Sequence, residues 1–275
     1  MQHPDTRPAR SPWLLVAVAV AAVGWWLLRP APEPAAEMAQ MPSAMDDDAI
    51  PPPPMLPGEA EAPGIQHPVE PPAEAADAAI PALADSDAGV LQELEALAGD
   101  PSLLGVLVRE HVVQRLVVMV DNLTEPRVTA QVLALRQLPG NYAVVEGEGA
   151  TVADTAASSA RYAPYVAAFT GADAGRVASV YRRFYPLFQE AYVELGYPDG
   201  YFNDRLVQVI DHLLQAPAPR EGAELVRDER GRWRYTDPSL ESASVGHKAL
   251  MRLSGEQQAA VKEQLRELRR ALARP

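Results

Sequence analysis

Residues 173–214 read DAGRVASVYRRFYPLFQEAYVELGYPDGYFNDRLVQVIDHLL, and their pattern decides the fold class: two amphipathic helices around one sharp turn. Asp173 is placed to cap the first helix, accepting from the free amides of its opening turn. Val177, Val180, Tyr181, Phe184, Phe188, Ala191, Tyr192 and Leu195 then recur at steps of three and four, so they share a face. Arg176, Arg182, Arg183, Glu190 and Glu194 take the opposite side. Pro186 interrupts the pattern with no N–H to give and a ring that crowds the Arg182 carbonyl, which predicts a kink. Gly196 suits a left-handed position after the last turn, and Pro198 forbids continuation. Beyond the turn, Leu206, Val209, Ile210 and Leu213 make a second stripe, while Arg205, Gln208, Asp211 and His212 are predicted to point away. Helices joined so closely are expected to pack antiparallel, stripe against stripe.

The wording of this region is distinctive. Arg161-Tyr162-Ala163-Pro164-Tyr165-Val166 precedes it, Tyr181-Arg182-Arg183-Phe184-Tyr185-Pro186 lies inside it, and Gly196-Tyr197-Pro198-Asp199-Gly200-Tyr201-Phe202-Asn203-Asp204-Arg205 forms the turn. Ile210-Asp211-His212-Leu213-Leu214 closes it. With these motifs the chain resembles the bacterial domain-of-unknown-function family numbered 3014, over roughly residues 91–272. The resemblance implies an envelope protein with an N-terminal membrane anchor. It brings no activity and no catalytic residue.

Charge divides the chain unevenly. Residues 30–90 contain twelve Asp or Glu and no Lys or Arg, nearly the whole formal charge of −13. The remainder is close to neutral, so the acidity belongs to a linker and says nothing about substrates. No basic face offers itself to nucleic acid, and none is expected as a partner. Cysteine is absent, which excludes disulfides, thiolate zinc sites and cysteine nucleophiles. About 185 residues remain for a folded body, enough for a sizeable core.

In chain order, residues 1–12 read as a cytoplasmic N-terminus and residues 13–28 as a transmembrane signal anchor. Those sixteen residues are uncharged and overwhelmingly apolar. As a helix they span about 24 Å, slightly less than the roughly 30 Å hydrocarbon core. Trp13, Trp25 and Trp26 fall where indole rings favour the two interfaces. Bulky Trp25 to Leu28 and Arg29 stand where a cleavage site needs small residues, so the anchor is expected to stay. Cleavage there would instead leave a soluble periplasmic binder. Arg7 and Arg10 before the span, and acidic sequence after it, predict a cytoplasmic N-terminus and an exported body. Residues 29–84, rich in Pro, Ala and Glu, read as a disordered linker; fifty residues of polyproline-like chain reach about 155 Å.

Residues 85–275 are predicted to form a helical periplasmic domain. Asp87 is placed to cap a short helix ending near Gly99. Asp100-Pro101 signals the start of another, running to about Leu123. Residues 128–136 read as helical, residues 142–145 as a short strand, and Gly147-Glu148-Gly149 as a turn; residues 151–159 carry no decisive pattern. Residues 224–227 and 232–236 flank Asp228-Glu229-Arg230-Gly231 as a small β-hairpin. Ser244 is placed to cap a helix through Leu253. Ser254 with Gln257 forms a capping box for the last one, whose stripe is Val261, Leu265, Leu268 and Leu272.

Chemistry is scarce. His111, His212 and His247 stand in no ligand-spaced cluster, so no metal and no cofactor are expected. Asp211 and His212 are neighbours pointing about 100° apart on a helix, poorly placed for each other. His212 near a helix end suits the dipole. No Gly-x-Ser-x-Gly or Ser-x-x-Lys pattern marks a serine hydrolase. What remains is a concentration of polar and aromatic residues about the turn: Arg161, Tyr165, Tyr197, Tyr201, Asn203, Asp204 and Arg205. They serve either as core with polar tips or as a cleft for a peptide or cell-wall fragment.

Taken together, the sequence predicts a mainly α protein: a compact helical domain with a small β-hairpin, preceded by one transmembrane helix and a disordered linker. Its expected place is the bacterial inner membrane, and its expected role that of a non-catalytic interaction module. The expected partners are the lipid bilayer and an envelope protein or the cell wall. The alternative is a periplasmic enzyme acting on cell-wall or peptide substrates, which requires a cleft uniting Asp204, Arg205 and His212.

Overall fold

The computed structural model describes residues 64–70, 80–98, 101–128, 134–136, 138, 142–147, 149–229 and 231–273. The predicted anchor at residues 13–28 lies outside them. Among the described residues no helix is long and apolar enough to cross a membrane. The fold is mainly helical, with one small antiparallel sheet.

Helix α1 (Asp87–Ala98) leads through a 3₁₀ turn at Pro101–Val106 to α2 (Val112–Asn122). Strands β1 (Val144–Glu146) and β2 (Thr151–Ala153) follow, then α3 (Thr155–Thr170), α4 (Ala174–Glu194) and α5 (Phe202–Leu214). Strands β3 (Glu224–Arg227) and β4 (Trp233–Tyr235) precede α6 (Pro238–Glu241), α7 (Val245–Leu250) and α8 (Gly255–Leu272). The last helix lies against α3, α4 and α5, and α2 packs on α4 and α5. The helical core therefore forms around α8 and α2, with Val112, Val117, Phe169, Phe202, Val209, Val261 and Leu268 almost fully covered.

The predicted caps explain the boundaries of the central helices. The Asp173 carboxylate accepts from the Arg176 amide at 2.8 Å, and α4 continues across Pro186. At its end Gly196 takes φ of 114°. The Gly196 and Tyr197 amides turn back to the Val193 and Tyr192 carbonyls, the paired bonds of a Schellman ending. Ser244 caps α7 through the His247 amide, which ends at Leu250 rather than Leu253. Ser254 and Gln257 close the reciprocal box that opens α8.

Four expectations are corrected. The predicted hairpin is half of a four-stranded antiparallel sheet in the order β1-β2-β3-β4, because Thr151 and Val152 pair with Leu225 and Glu224. This joins two hairpins far apart in the chain. The sheet has its own apolar cluster of Tyr142, Leu225, Trp233, Tyr235 and Leu240, over which the buried Arg252 guanidinium lies 4.7 Å from the Tyr142 ring centre. Residues 134–136 are not helical: Leu135 bridges Leu107, with Val108 and Arg136 bonded across to Ala134 and Val106; residues 129–133 lie outside the described set. The helix expected from residue 101 to 123 is broken: residues 101–106 form the 3₁₀ turn and residues 107–111 are not helical before α2 begins. Finally, the Asp87 carboxylate accepts from the His111 and Val112 amides, both at 2.8 Å, and so caps α2 rather than its own helix. That grip holds His111 at the left-handed φ of 54°.

Candidate functional site

The turn between α4 and α5 is fixed by one side chain, Gln189. Its amide donates to the Gly200 carbonyl at 2.7 Å and its oxygen accepts from the Phe202 amide at 2.9 Å and from the Tyr185 hydroxyl at 2.9 Å. Aromatic rings then tile the helix junction. Tyr181 meets Tyr185 edge to face at 5.7 Å, Tyr185 meets Tyr201 at 5.4 Å, and Phe188 stacks on Phe202 at 5.8 Å. On the outer side the exposed Tyr197 stacks on Tyr192 at 4.6 Å.

The seven sequence-predicted residues divide into three groups. Arg161 and Tyr165 lie on α3, where Arg161 donates to the Leu138 carbonyl at 2.7 Å. Tyr197 and Arg205 converge on Asp121 of α2. Arg205 grips its carboxylate at 2.7 Å, its carbonyl at 2.7 Å and the Thr124 hydroxyl at 2.8 Å, with side chains only 19% and 13% exposed for Arg205 and Asp121. Arg205 was expected to point away; it instead ties α5 to the end of α2, a structural bond of the charge-assisted, forked kind.

Tyr201, Asn203 and Asp204 form the third group, and they hold a piece of the predicted linker. Residues 64–70 lie against the start of α5. The Asp204 carboxylate accepts from the Gln66 amide at 2.9 Å and the His67 amide at 2.7 Å. The Tyr201 hydroxyl accepts from the Val69 amide at 2.7 Å. Asn203, fully buried, donates to the His67 carbonyl at 2.8 Å and to the Leu272 carbonyl at 3.2 Å. Pro68 has no N–H, so every amide that residues 66–69 possess is taken by a side chain of α5 or its cap position. Val69 also packs on the helical core. Asp204 sits in the first turn of α5, where the helix dipole favours a negative charge. Neither this docked segment nor Gln189 had any periodic signal in the sequence.

Beside this junction is an apolar cavity of about 190 Å³ among α1, α2, α4, α5 and α8. Leu94, Val120, Val180 and Leu206 line it and are only half-buried for that reason. Its wall is almost wholly apolar and offers water few partners. Tyr181 also lines the cavity, and its hydroxyl is buried with no hydrogen-bond partner among the described residues. Burial first, then the neighbouring Tyr185, Tyr201 and Asp204, push that hydroxyl well above the ordinary tyrosine range.

His212 faces elsewhere. Its ring stacks on His247 with centres 4.0 Å apart and 4° between planes, and its Nε2 lies 2.8 Å from the Ser244 hydroxyl. His247 Nε2 is 2.7 Å from the His212 carbonyl and donates to it. Asp211, as the helical offset predicts, turns to a different partner, the Arg269 guanidinium. Asp204, Arg205 and His212 thus go to three separate sets of partners. Among the described residues no group of three His, Asp or Glu is placed to hold a metal ion.

The model of one family, DUF3014, described as a protein of unknown function, matches residues 112–269. This chain is a member of DUF3014. The matched region runs from the first residue of α2 to near the end of α8, and so contains the turn, Asp204 and its neighbours; residues 64–70 lie before it. No curated protein and no solved structure matches the chain.

Proposed function

We propose that this DUF3014 protein is a membrane-tethered, non-catalytic interaction module of the cell envelope. Its binding surface is the start of α5, which takes a bent peptide segment, and residues 66–69 of its own tether occupy that surface at rest. The observation that carries the reading is the complete use of the amides at Gln66, His67 and Val69 by Asp204 and Tyr201. Side chains that bond to backbone groups recognise a chain's conformation without demanding its sequence, so a partner's segment of the same bent form can replace the tether. The apolar run at residues 13–28, flanked by Arg7, Arg10 and Arg29, supports the inner membrane as its address and a periplasmic body. The partner's class is a bent, unstructured segment of another envelope protein.

The test uses the full chain and a fluorescent peptide with the sequence of residues 64–70. Gln66→Pro with Val69→Pro removes two of the three docked amides and the Val69 side chain that packs on the core, while leaving every residue of the helices unchanged. The double variant should bind the peptide at least tenfold more tightly than the unmodified chain, and Asp204→Ala in that background should abolish binding. Equal binding by unmodified and double-variant chains, or binding indifferent to Asp204, refutes the reading.

A further inference from the structure

We propose that the outer edge of β1 pairs with β1 of a second copy of this chain, the two strands running antiparallel across a twofold axis at Val145. The ladder fixes which groups are left over for this. The Asp154 amide donates to the Ala143 carbonyl at 3.1 Å and the Gly147 amide to the Ala150 carbonyl at 2.9 Å. Ala143, Val145 and Gly147 therefore turn their backbone groups toward β2. Those of the alternate residues, Val144 and Glu146, point away from the sheet, and among the described residues no hydrogen bond reaches them. The strand has no proline, lysine or bulge to blunt that edge. The far edge of the sheet is different. There the outward-facing Tyr235 amide donates to Glu241 of α6 at 3.1 Å, so β4 is closed.

Three arguments make the occupant a second copy, and none uses the α5 surface. The first is order. Fixing one residue of a disordered peptide costs about as much as one backbone hydrogen bond returns, so a flexible partner gains little from so short an edge. A strand already held in a sheet has no such cost, and β1 of another copy is one. The second is register. With Val145 facing Val145 of the second copy, each Val144 lies opposite a Glu146, and both pairs exchange an N–H and a C=O. Gly147 then meets Ala143, and neither side chain obstructs the approach. Centring on Glu146 would set two carboxylates directly opposite each other, which is destabilising. Centring on Val144 would set Glu146 against Tyr142, which is buried and lies before the strand. The third is the exposed face. Val145 is 51% exposed, and Val152 stands directly opposite it on β2. Pairing at Val145 makes one continuous row of valines, Val152 and Val145 from each copy, and covers the Val145 side chain. Three residues a side bury far less than the roughly 1,600 Å² of a standard interface, so this isologous dimer is weak and depends on concentration.

The experiment uses the full chain purified in detergent. Cysteine is absent from it, so single introduced cysteines report without background. Under mild copper–phenanthroline oxidation, Val145→Cys should form disulfide dimers at least tenfold faster than Val226→Cys. Val226 is equally exposed, at 53%, and lies on the same face but on β3, two strands from the edge. Glu146→Cys should lag as well, because its two copies stand about 7 Å apart along the strand at ~3.4 Å per residue. Val144→Pro removes an outward N–H and none that pairs with β2, and should return Val145→Cys to the rate of Val226→Cys. Glu146→Pro serves the same purpose if the first variant fails to fold. Val145→Cys dimerising no faster than Val226→Cys overturns the proposal, and so does a rate that neither proline variant changes. Glu146→Cys dimerising fastest overturns the axis at Val145.

Discussion

Gly246 has no room for a methyl group. Its amide donates to the Leu123 carbonyl at 2.9 Å, which draws α7 against the end of α2. A Cβ built there would lie 2.3 Å from the Leu213 methyl and 2.9 Å from the Leu123 oxygen. One of those neighbours is backbone and cannot yield cheaply, so Gly246→Ala should cost about 1–3 kcal/mol. The control is Gly255→Ala, at the open start of α8 with nothing within 4 Å, which should leave the urea midpoint unchanged or slightly raised. His212, one helix away, gives the domain a pH dependence. Burial first, then the stacked His247 and the nearby Arg205, hold its pKa below the ordinary histidine value. Between its own lowered value and about 6.5, the unfolded chain binds a proton that the folded chain refuses. The His212 contribution is therefore complete above about pH 6.5 and is lost as pH falls toward the lowered value. Urea midpoints at pH 7.5 and 5.0 should fall further for the unmodified chain than for His212→Asn; equal falls would place the sensitivity in other groups.

Among the elements, those whose ends carry their own signals were legible in the sequence. Asp173 and Gly196 bound α4, and Ser254 with Gln257 opens α8, because each cap lies within a few residues of the amides or carbonyls it serves. The sheet was half hidden. Strands β1 and β2 have three residues each, too few for alternation to show, and β2 finds its partner β3 some seventy residues later. The start of α2 was hidden for the same reason: its capping carboxylate comes from Asp87, 24 and 25 positions before the amides it accepts. The seven residues singled out in the sequence fall into three separate groups, and only Tyr201, Asn203 and Asp204 meet residues 66–69. Arg205 reads as a surface cation because its partners Asp121 and Thr124 lie some eighty residues earlier, and nothing marks residues 66–69 as a docked segment. The Asp87 assignment makes a prediction that local capping does not. Asp87→Ala should cost about 1–2 kcal/mol and speed amide exchange at His111 and Val112, at the start of α2. A cap serving α1 would instead expose amides just after Asp87, so exchange by position separates the two.

On the scale of the whole molecule, charge and cysteine content together decide how the chain's address can be tested. Nearly all the excess negative charge lies in residues 30–90, so the body at the end of the tether is close to neutral and is not repelled by its own linker when residues 66–69 dock. Docking also brings distant parts of the chain together: residues 66–69 are held by the first turn of α5, a helix inside the matched family region. Docking at Asp204 requires that residues 66–69 and the body share one compartment, and the proposed topology puts the extreme N-terminus in the other. Because the chain has no cysteine, single cysteines report that topology without background. Thr6→Cys lies before the apolar run, and Glu229→Cys lies in an exposed turn between β3 and β4. In cells with a permeabilised outer membrane and intact inner membrane, a membrane-impermeant maleimide should label Glu229→Cys and spare Thr6→Cys, and lysis should expose both. The labelled protein should retain the mass of residues 1–28, since bulky side chains stand where cleavage needs small ones. Labelling at neither site before lysis would put the body in the cytoplasm, where an envelope segment could never reach Asp204.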